Sequence, residues 1–529
     1  MKTIIGIMLK GGRAKFILTS FVMLSLVTGF VLMFANDLLA RVLNDYLLVQ
    51  NFDGFALLLL ATIGLFVLVF GMNILSAYLR GDFWLSFQTG LTEHYITRLL
   101  RAKTSFFTNR PSAELFTKLN DSTGGVGFLI YCVLGIVSHG VIFIFYGIII
   151  FRINLFAGIF AVLVTPLCFF ATEWAGNKLS KLMHERMEAN GEMSTVTQEA
   201  FENVNNVKAK GAFSFFAGRS VKVLGKIKSI TVQEVTLEGY IFGITALVRI
   251  IAPLLIILAA MQLNFGGGAA YIMLLYINIP LFLGRFENLF VLYVEYKAAK
   301  PFLSQLREFD NVEPESENGE EITTFESLRT DAVKVKFPGG RVVAVPDFEV
   351  KKGEKIGFFG ESGIGKSTVF NIIMGLNQEY EGTVLLNGTD LRKISTASRR
   401  RVFGITFQHT NALALNLREN ILLGAVKSDA ELERLIKLTA LESQQASKGE
   451  DIVNNKVLSG GEKSRLGLSQ MLVTEPEIML IDEAFSSMDE ELECAIINDL
   501  FREYPQRTVI CISHRISSKQ FFDRTVNFS

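Results

Sequence analysis

The sequence predicts a multidomain protein in which an all-α domain of six membrane helices precedes an α/β domain with a phosphate-binding loop. Half of the residues are hydrophobic, only 20% are charged, and Phe alone occurs 45 times in 529 residues. This composition is too apolar for a soluble enzyme and indicates a membrane protein. Residues 360–368 fit the pattern G-x-x-x-x-G-K-[S/T], and strand-like runs alternate with helical runs around them. That alternation is typical of an α/β domain.

The net charge and the cysteines argue against several classes of protein. The formal net charge is zero, so nothing suggests a polyanionic partner and we expect no nucleic-acid binding. The cysteines form no C-x-x-C or Cys/His pattern, which indicates neither a disulfide framework nor a metal site. We expect them to be small core residues; they are Cys132, Cys168, Cys494 and Cys511.

The first domain, residues 1–301, contains six apolar segments of about 20 residues, the length that crosses the hydrocarbon core of a bilayer. The first segment follows a basic N-terminus, but it is long and no small-residue cleavage site follows it. We therefore interpret it as a retained membrane helix and not as a cleavable signal. The six segments are residues 16–39, 55–78, 127–151, 154–174, 240–262 and 268–292.

The distribution of Lys and Arg predicts the orientation of these spans. Basic residues concentrate in two long connections, 79–126 and 175–239, whereas the short loops hold only Arg41 and Arg152. Basic loops stay in the cytoplasm. We therefore expect a multi-pass protein of the cytoplasmic (inner) membrane with both termini and the α/β domain in the cytoplasm. The long connections have a helical pattern, so the spans should continue as helices below the membrane.

An acidic stretch, residues 302–330, separates the two domains. It clusters Asp and Glu with Pro314 and few large apolar residues, which predicts a solvated linker. The α/β domain should then occupy residues 331–529. Its predicted strands are residues 332–337, 341–345, 355–359, 382–386, 402–406, 478–481 and 508–512.

The phosphate-binding loop has the flanks that its chemistry requires, a strand before it and a helix after it. Its glycines let backbone N–H groups surround phosphate oxygens at the positive end of the helix. Lys366 should reach the β- and γ-phosphates, and the Ser367 hydroxyl should bind Mg²⁺. The predicted nucleotide-binding residues are Gly360, Glu361, Ser362, Gly363, Ile364, Gly365, Lys366, Ser367 and Thr368.

A second motif ends an apolar strand with two carboxylates, Asp482 and Glu483. Asp482 would bind Mg²⁺ directly or through water, and Glu483 would polarise the attacking water as a general base. A buried strand that ends in a solvated acidic turn is the plain alternative. The phosphate loop upstream favours the catalytic interpretation.

The third motif, L-S-G-G-E at positions 458–462, opens a predicted helix and is a second potential anion cradle. It resembles the signature motif of ABC-type ATPases. The resemblance implies ATP and Mg²⁺ as ligands and a signature that contacts the γ-phosphate of ATP bound to a second copy. Two chains would then pair head to tail as a homodimer, since every motif here is intact. The resemblance assigns nucleotide binding to Ser459, Gly460, Gly461 and Glu462.

Further positions match the family one by one. Gln408 resembles the glutamine that contacts Mg²⁺ and the coupling interface. His514 resembles the switch histidine that holds the γ-phosphate, although a lone His at a strand end is often structural. Phe337 resembles the aromatic residue that stacks on adenine, where the family usually has Tyr. Residues 487–489 resemble the D-loop, with Ser-Met in place of the usual Ala-Leu.

The segment before the signature departs from the family. It is short, and residues 451–457 lack the Val-Gly-Glu-like piece that is common in exporters, so the contact with the cytoplasmic loops should be atypical. In the membrane half, residues 100–115 and 198–211 resemble the two cytoplasmic loops of bacterial ABC exporters. The whole layout resembles a half-transporter.

The resemblance implies ATP-driven export of an amphipathic small molecule, drug, peptide or lipid by alternating access. An ATP-gated regulator or sensor, and an importer with the exporter fold, remain alternatives. Ionisable residues within spans usually face a cavity or a protein interior. Arg249 and Arg285 could together meet an anionic group such as a carboxylate or phosphate, or they could form structural pairs. The candidates are His139, Arg249, Arg285, Glu287 and Asn288.

Overall fold

The computed structural model describes residues 6, 12–47, 54–107, 110, 112–262, 269–315, 317–337, 340–361, 363–448, 451–454 and 457–528. The chain divides into two compact units. The helical unit gathers Met1–Leu100 and Arg110–Val312, and the α/β unit gathers Arg101–Asn109 and Glu313–Ser529. An all-α part followed by an α/β part confirms the predicted fold class.

The helical unit is built mainly from long helices. Helix α1 ends in a π-helical segment, Val42–Leu47, and Asn154 caps α4 by accepting a hydrogen bond from the Ala157 N–H at 3.0 Å. The helices are α1 Gly12–Arg41, α2 Phe55–Leu100, α3 Ser112–Ile153, α4 Leu155–Glu202, α5 Val204–Ala209, α6 Phe213–Gln262 and α7 Ala269–Asp310.

Five helices among the described residues are long and apolar enough to cross a membrane, and they lie in α1, α2, α3, α6 and α7. The fourth predicted span, 154–174, lies on α4. The apolar part of α4 that is described, Leu155–Thr165, is shorter than a span, and the side chains of residues 166–172 lie outside the described set. The first residue of the sixth predicted span, 268, is also outside it.

Several helices are much longer than a bilayer requires. Helices α2, α4 and α6 contain 46, 48 and 50 residues, whereas about 20 residues span the hydrocarbon core. The predicted long connections are therefore largely helical extensions of the spans. Large apolar side chains such as Leu57, Val67 and Phe70 are more than 60% exposed on this unit, as a lipid-facing surface requires.

Helix α7 extends further than the sequence predicted. Residues 302–310, which the sequence placed in the linker, continue the helix to Asp310. Leu306 and Phe309 are buried there, and the Tyr95 hydroxyl donates to the Asp310 carboxylate at 2.8 Å. Burial of these two side chains explains why the helix persists. At the other end, residues 327–330 already belong to the first strand.

The turn after α2 belongs to the α/β unit. Ala102 forms an isolated antiparallel bridge with Pro314. The Lys103 N–H donates to the Glu313 carbonyl at 3.2 Å, and the Glu315 N–H donates to the Arg101 carbonyl at 2.8 Å. The Lys103 ammonium also pairs with the Glu313 carboxylate at 2.5 Å. We call this small ladder of residues 101–103 and 313–315 the clasp.

Among its described residues, the α/β unit forms two five-stranded sheets. In one, β1 pairs antiparallel with β2, β3 and β5, and β6 follows β5. The other is parallel, in the order β10-β4-β9-β8-β7. The strands are β1 Ser327–Lys336, β2 Val342–Ala344, β3 Glu349–Lys351, β4 Lys355–Phe359, β5 Glu381–Leu386, β6 Thr389–Asp390, β7 Phe403–Thr406, β8 Ile478–Asp482, β9 Thr508–Ile512 and β10 Arg524–Asn527.

Helices flank the parallel sheet. Apolar faces of α8, α9, α13 and α14 contribute to two clusters of buried side chains around it, with Phe358, Phe370 and Ile510 fully buried. The helices are α8 Lys366–Ile373, α9 Thr396–Val402, α10 Leu417–Leu422, α11 Asp429–Leu438, α12 Glu442–Lys448, α13 Gly460–Val473 and α14 Glu490–Glu503.

The register of the parallel sheet sets where the site can form. Ile512, the last residue of β9, lies opposite Phe358 of β4 on one side and Asp482 of β8 on the other. Thr406, the last residue of β7, lies opposite Ile481. The carboxyl ends of these strands therefore meet at one edge, where ligands bind in open α/β sheets.

We predict that Leu386→Ala destabilises the α/β unit by about 2–5 kcal/mol, because it leaves a cavity in a fully buried cluster. Leu413→Ala, at a position 50% exposed, is the matched control and should change stability by less than about 0.5 kcal/mol. Pulse proteolysis of the full chain in urea would measure both. Equal sensitivity of the two variants would contradict the assigned core.

Candidate nucleotide site

The loop between β4 and α8 has a backbone that only glycine accommodates at key points. Gly360 has φ +150° and Gly365 has φ +116°, both in the region that L side chains avoid. A Cβ at Gly365 would lie 2.2 Å from Val343 Cγ1, and one at Gly360 would lie 2.7 Å from the Phe528 carbonyl oxygen. The loop is therefore held tightly against β2 and the end of β10.

Lys366 opens α8 and is only 4% exposed. Its ammonium donates to the carbonyl oxygens of Gly360 at 2.9 Å and Glu361 at 2.8 Å. Burial lowers the pKa of Lys366, while the charges of Glu483 and Asp482 oppose this shift. Since the hydrogen-bond partners are neutral carbonyls, they do not neutralise the positive charge, and the loop presents it to an anion.

Ser367 and Asp482 meet at the edge of the sheet. The Ser367 hydroxyl donates to Asp482 Oδ1 at 3.0 Å. Burial raises the pKa of the Asp482 carboxyl, and the Ser367 hydrogen bond lowers it in part. A hydroxyl and a carboxylate are hard oxygen donors of the kind that Mg²⁺ prefers. The described residues include no group of three His, Cys, Asp or Glu placed to hold a metal.

Glu483 lies at the centre of the site. Its Oε2 accepts a hydrogen bond from Gln408 Nε2 at 2.7 Å, and its Oε1 lies 2.7 Å from His514 Nε2. Its own N–H donates to the Ile512 carbonyl at 3.1 Å, and its φ of +50° is unusual for a residue other than glycine. Two predicted residues that are distant in sequence, Gln408 and His514, therefore converge on the carboxylate of a third, Glu483.

Arg515, which the sequence analysis did not identify, fixes the chain next to His514. Its guanidinium donates to the Glu493 carboxylate at 2.5 Å and to the Met488 carbonyl at 2.6 Å. Glu493 is 2% exposed, and burial raises its pKa while Arg515 opposes that shift. In the sequence, Glu493 shares the apolar face of α14 with Ile496 and Leu500, a signal that could have identified a buried acid.

The L-S-G-G-E motif forms the start of α13. The Ser459 hydroxyl accepts a hydrogen bond from the Glu462 N–H at 3.3 Å, and the Glu462 carboxylate accepts one from the Ser459 N–H at 2.6 Å. Glu462 also accepts a hydrogen bond from Gln444 at 2.7 Å. This capping box gives Glu462 a structural role beside the predicted one. A Cβ at Gly461 would lie 3.1 Å from the Ser487 carbonyl oxygen, so the motif abuts the segment 487–489.

Phe337 follows β1 and is 38% exposed. Its N–H donates to the Arg341 carbonyl at 2.8 Å, and the Arg341 guanidinium donates to the Gly363 carbonyl of the phosphate loop. The hairpin that carries Phe337 is thereby tied to the loop, while stacking on adenine stays a prediction. Ser362 lies outside the described residues.

We predict that Asp482→Asn stabilises the nucleotide-free protein at neutral pH. Burial raises the folded-state pKa of Asp482 above its unfolded value of about 4, so the fold loses stability as the pH rises above that unfolded value. Well below about pH 4 the carboxyl is protonated in both states, and the penalty disappears. The gain in unfolding midpoint should therefore shrink as the pH falls from about 7 to about 4.

Urea midpoints measured by pulse proteolysis across this pH range would test the expectation, with Asp499→Asn, an exposed carboxylate on α14, as the control. A loss of stability in the Asp482 variant at neutral pH would contradict it, because that result would mean that the folded state stabilises the carboxylate.

Comparisons with known proteins match both units. The family model described as "ABC transporter transmembrane region" matches residues 18–281, and the model described as "ABC transporter" matches residues 344–486. A solved structure of a bacterial Atm1-family ABC exporter with ATP bound superposes with a TM-score of 0.81, covers 97% of this chain and 92% of its own, and is 22% identical. At that identity it shows the fold alone.

Curated relatives cover less of the chain. An ATP-dependent lipid A-core flippase of Methylobacillus flagellatus is 30% identical over 346 residues, which are 63% of this chain and 59% of the flippase. The mycobactin import ATP-binding/permease protein IrtB of Mycolicibacterium smegmatis is 34% identical over 207 residues, 38% of this chain and 36% of that protein. The chain thus spans less than two thirds of either relative.

Proposed function

This chain belongs to the ABC transporter family, with the membrane region and the ATPase domain fused in one polypeptide, and on that premise we propose that it is an ATP-driven transporter. It works as a homodimer in the cytoplasmic membrane, with the α/β unit in the cytoplasm. It exports an amphipathic small molecule, peptide or lipid by alternating access. The resemblance of its motifs to the ABC family, read from the sequence, is confirmed by the family matches.

The observation that carries the proposal is the convergence of Gln408 and His514 on the two carboxylate oxygens of Glu483. The phosphate loop and Asp482 belong to the same strand edge. A carboxylate oxygen has more than one lone-pair direction, so Glu483 can accept a proton from water while both partners remain bound. We infer that the two hydrogen bonds orient the general base and that His514 contacts the γ-phosphate.

The other residues bind and position ATP. The Lys366 ammonium stabilises the negative charge of the β- and γ-phosphates, and the glycine N–H groups of the loop surround them. The Ser367 hydroxyl, the Asp482 carboxylate and Gln408 are the residues that would hold Mg²⁺. When bound, that ion neutralises charge on the phosphates. Phe337 stacks on adenine.

Only part of this site belongs to one chain. Ser459 and Gly460 are exposed at the N-terminal end of α13, where the helix dipole favours an anion. We infer that they contact the γ-phosphate of ATP held by the loop of a second copy. A second copy would complete each site, and ATP would join the two α/β units. ATP can shift the protein from one conformation to another only if it binds the second conformation more tightly than the first.

An importer is the second candidate, because the relatives with the family layout include a mycobactin importer as well as a lipid flippase. The direction of cargo movement separates the two. A regulator without transport would hydrolyse ATP with no movement of cargo.

The test is ATP hydrolysis and cargo movement in proteoliposomes screened with peptides, lipids and drugs. We expect at least one amphipath to stimulate hydrolysis and to cross the bilayer. Glu483→Gln should retain ATP binding and lose turnover by about 100-fold or more, because it removes the base. Glu491→Gln, an exposed acid on α14, is the control. Unchanged turnover in the Glu483 variant would refute its role.

Complementation between two variants tests the proposed homodimer. Chains with Lys366→Ala alone or Ser459→Arg alone should not hydrolyse ATP. If the signature acts on the partner's ATP, mixed dimers of the two variants contain one intact site and recover activity. If the signature acts on its own chain's ATP, no mixed dimer contains an intact site. Co-expression with two affinity tags and ATPase measurement of the purified mixed dimer distinguishes these outcomes.

A further inference from the structure

The helical unit contains a polar cavity of about 300 Å³ between α2, α3 and α7. Within a membrane region such a cavity is expensive to keep and commonly serves function. Apolar walls are supplied by Phe70 and Ala77, and the polar lining consists of Asn73, Ser76, Arg80, Ser138, His139 and Arg285.

The structure separates the two arginines that the sequence analysis grouped together. Arg249 forms an ion pair with Glu287, which also accepts a hydrogen bond from the Thr245 hydroxyl at 2.8 Å. That arginine is therefore part of a structural pair between α6 and α7. Arg285 instead points at His139, with Nη1 3.3 Å from Nδ1.

Arg80, on α2, supplies the second guanidinium of the cavity. It stacks on the Tyr131 ring at 4.2 Å, and its Nε is buried without a hydrogen-bond partner among the described residues. Glu295 is near enough to attract Arg80 electrostatically. Within the described ranges, however, neither Arg80 nor Arg285 forms an ion pair with a carboxylate. The cavity thus holds more positive than negative charge.

We propose that this cavity binds the oxyanion head of an amphipathic cargo, a carboxylate or a phosphate ester; the inference rests on the proposed transport function. Two guanidiniums, which stay charged at any physiological pH, match the fork geometry of an oxyanion. The hydroxyls of Ser76 and Ser138 add potential donors. A cationic head would be repelled, and a neutral head would leave both charges uncompensated.

The exposed apolar surface of α2 explains the amphipathic requirement. Phe70 is 66% exposed at the wall of the cavity, and Val67 and Ile74, one turn away on either side, are 62% and 56% exposed. An acyl or alkyl chain attached to the anionic head can lie along this surface. The cavity therefore selects the head by charge, while the tail is bound without chemical selectivity.

A fluorescent residue lies next to the cavity. The Trp84 ring lies 5.4 Å from Tyr131, the ring on which Arg80 stacks. Only one other tryptophan, Trp174, occurs in the sequence. In the full chain carrying Trp174→Phe, held in neutral phosphatidylcholine nanodiscs without nucleotide, Trp84 emission reports binding independently of ATP.

The probes are decanoate, decyl phosphate, decyl maltoside and decyltrimethylammonium, all below their micellar concentrations. We expect saturable changes with the two anions only. Tighter binding of decyl phosphate would assign the site to phosphate esters, and tighter binding of decanoate would assign it to carboxylates. Similar titrations with all four probes would overturn the proposal.

Arg285→Gln and Arg80→Gln should each weaken anion binding by about tenfold or more, since each removes charge-assisted hydrogen bonds. Arg285→Lys keeps the charge and should retain part of the affinity, which guards against misfolding as the cause. Arg152→Gln is the matched control, because that arginine pairs with Asp37 outside the cavity. Anion binding that is insensitive to both arginines would place the site elsewhere and refute the inference.

The failure of this proposal is distinguishable from failure of the proposed function. ATP-driven movement of neutral and anionic amphipaths at equal rates would leave the transporter in place and remove the oxyanion site. Anion-selective binding with no ATP-driven movement would leave the site and remove the transporter.

Discussion

The site depends on one constraint, the parallel register of β7, β8, β9 and β4. Because side chains that follow parallel strands emerge at the same edge, Gln408, Glu483, His514 and the phosphate loop meet although they are far apart in sequence. The Glu483 N–H, which bonds to the last carbonyl of β9, extends the sheet by one hydrogen bond into the site. The positive φ of Glu483 turns the chain immediately after that bond. The catalytic carboxylate of our proposal is thus positioned by backbone geometry before any ligand is considered.

The α/β unit also buries several charged side chains. Three charged residues, Lys366, Asp482 and Glu493, are nearly inaccessible to solvent. Burial lowers the pKa of Lys366 and raises the pKa of the two acids, which in each case favours the neutral form. Glu493 is compensated by Arg515, and such a pair is costly to break because the remaining charge stays buried. Lys366 and Asp482 are held instead by neutral partners. A bound polyphosphate would compensate the charge of Lys366, and a divalent cation would compensate that of Asp482. The buried charges that cost stability without a ligand therefore favour ligand binding.

Much of the architecture was predictable from the sequence, because its signals are local. The phosphate loop, the strand before Asp482 and the apolar spans can each be identified within a window of about 20 residues. Strands β3, β6 and β10 were missed since they are short and partly polar, so only tertiary pairing defines them. The helical end of α7 was missed because the burial of Leu306 and Phe309 is a tertiary effect. For the same reason the sequence could identify Arg249 and Arg285 but could not show that one faces Glu287 and the other His139.

The clasp between residues 101–103 and 313–315 has a consequence for how the chain can be divided. It closes a loop of 210 residues between Lys103 and Glu313 through two backbone hydrogen bonds and one exposed ion pair. The entropy cost of closing a loop rises only logarithmically with loop length. A weak clasp can therefore persist when the folded helices already bring residues 101–103 and 313–315 together. Residues 110–312 of the helical unit are then an insertion within the α/β unit, whereas its first 100 residues precede that unit in sequence. An ATPase fragment excised at the linker would lose a strand partner, and a circular permutant opened inside the inserted helices would keep it.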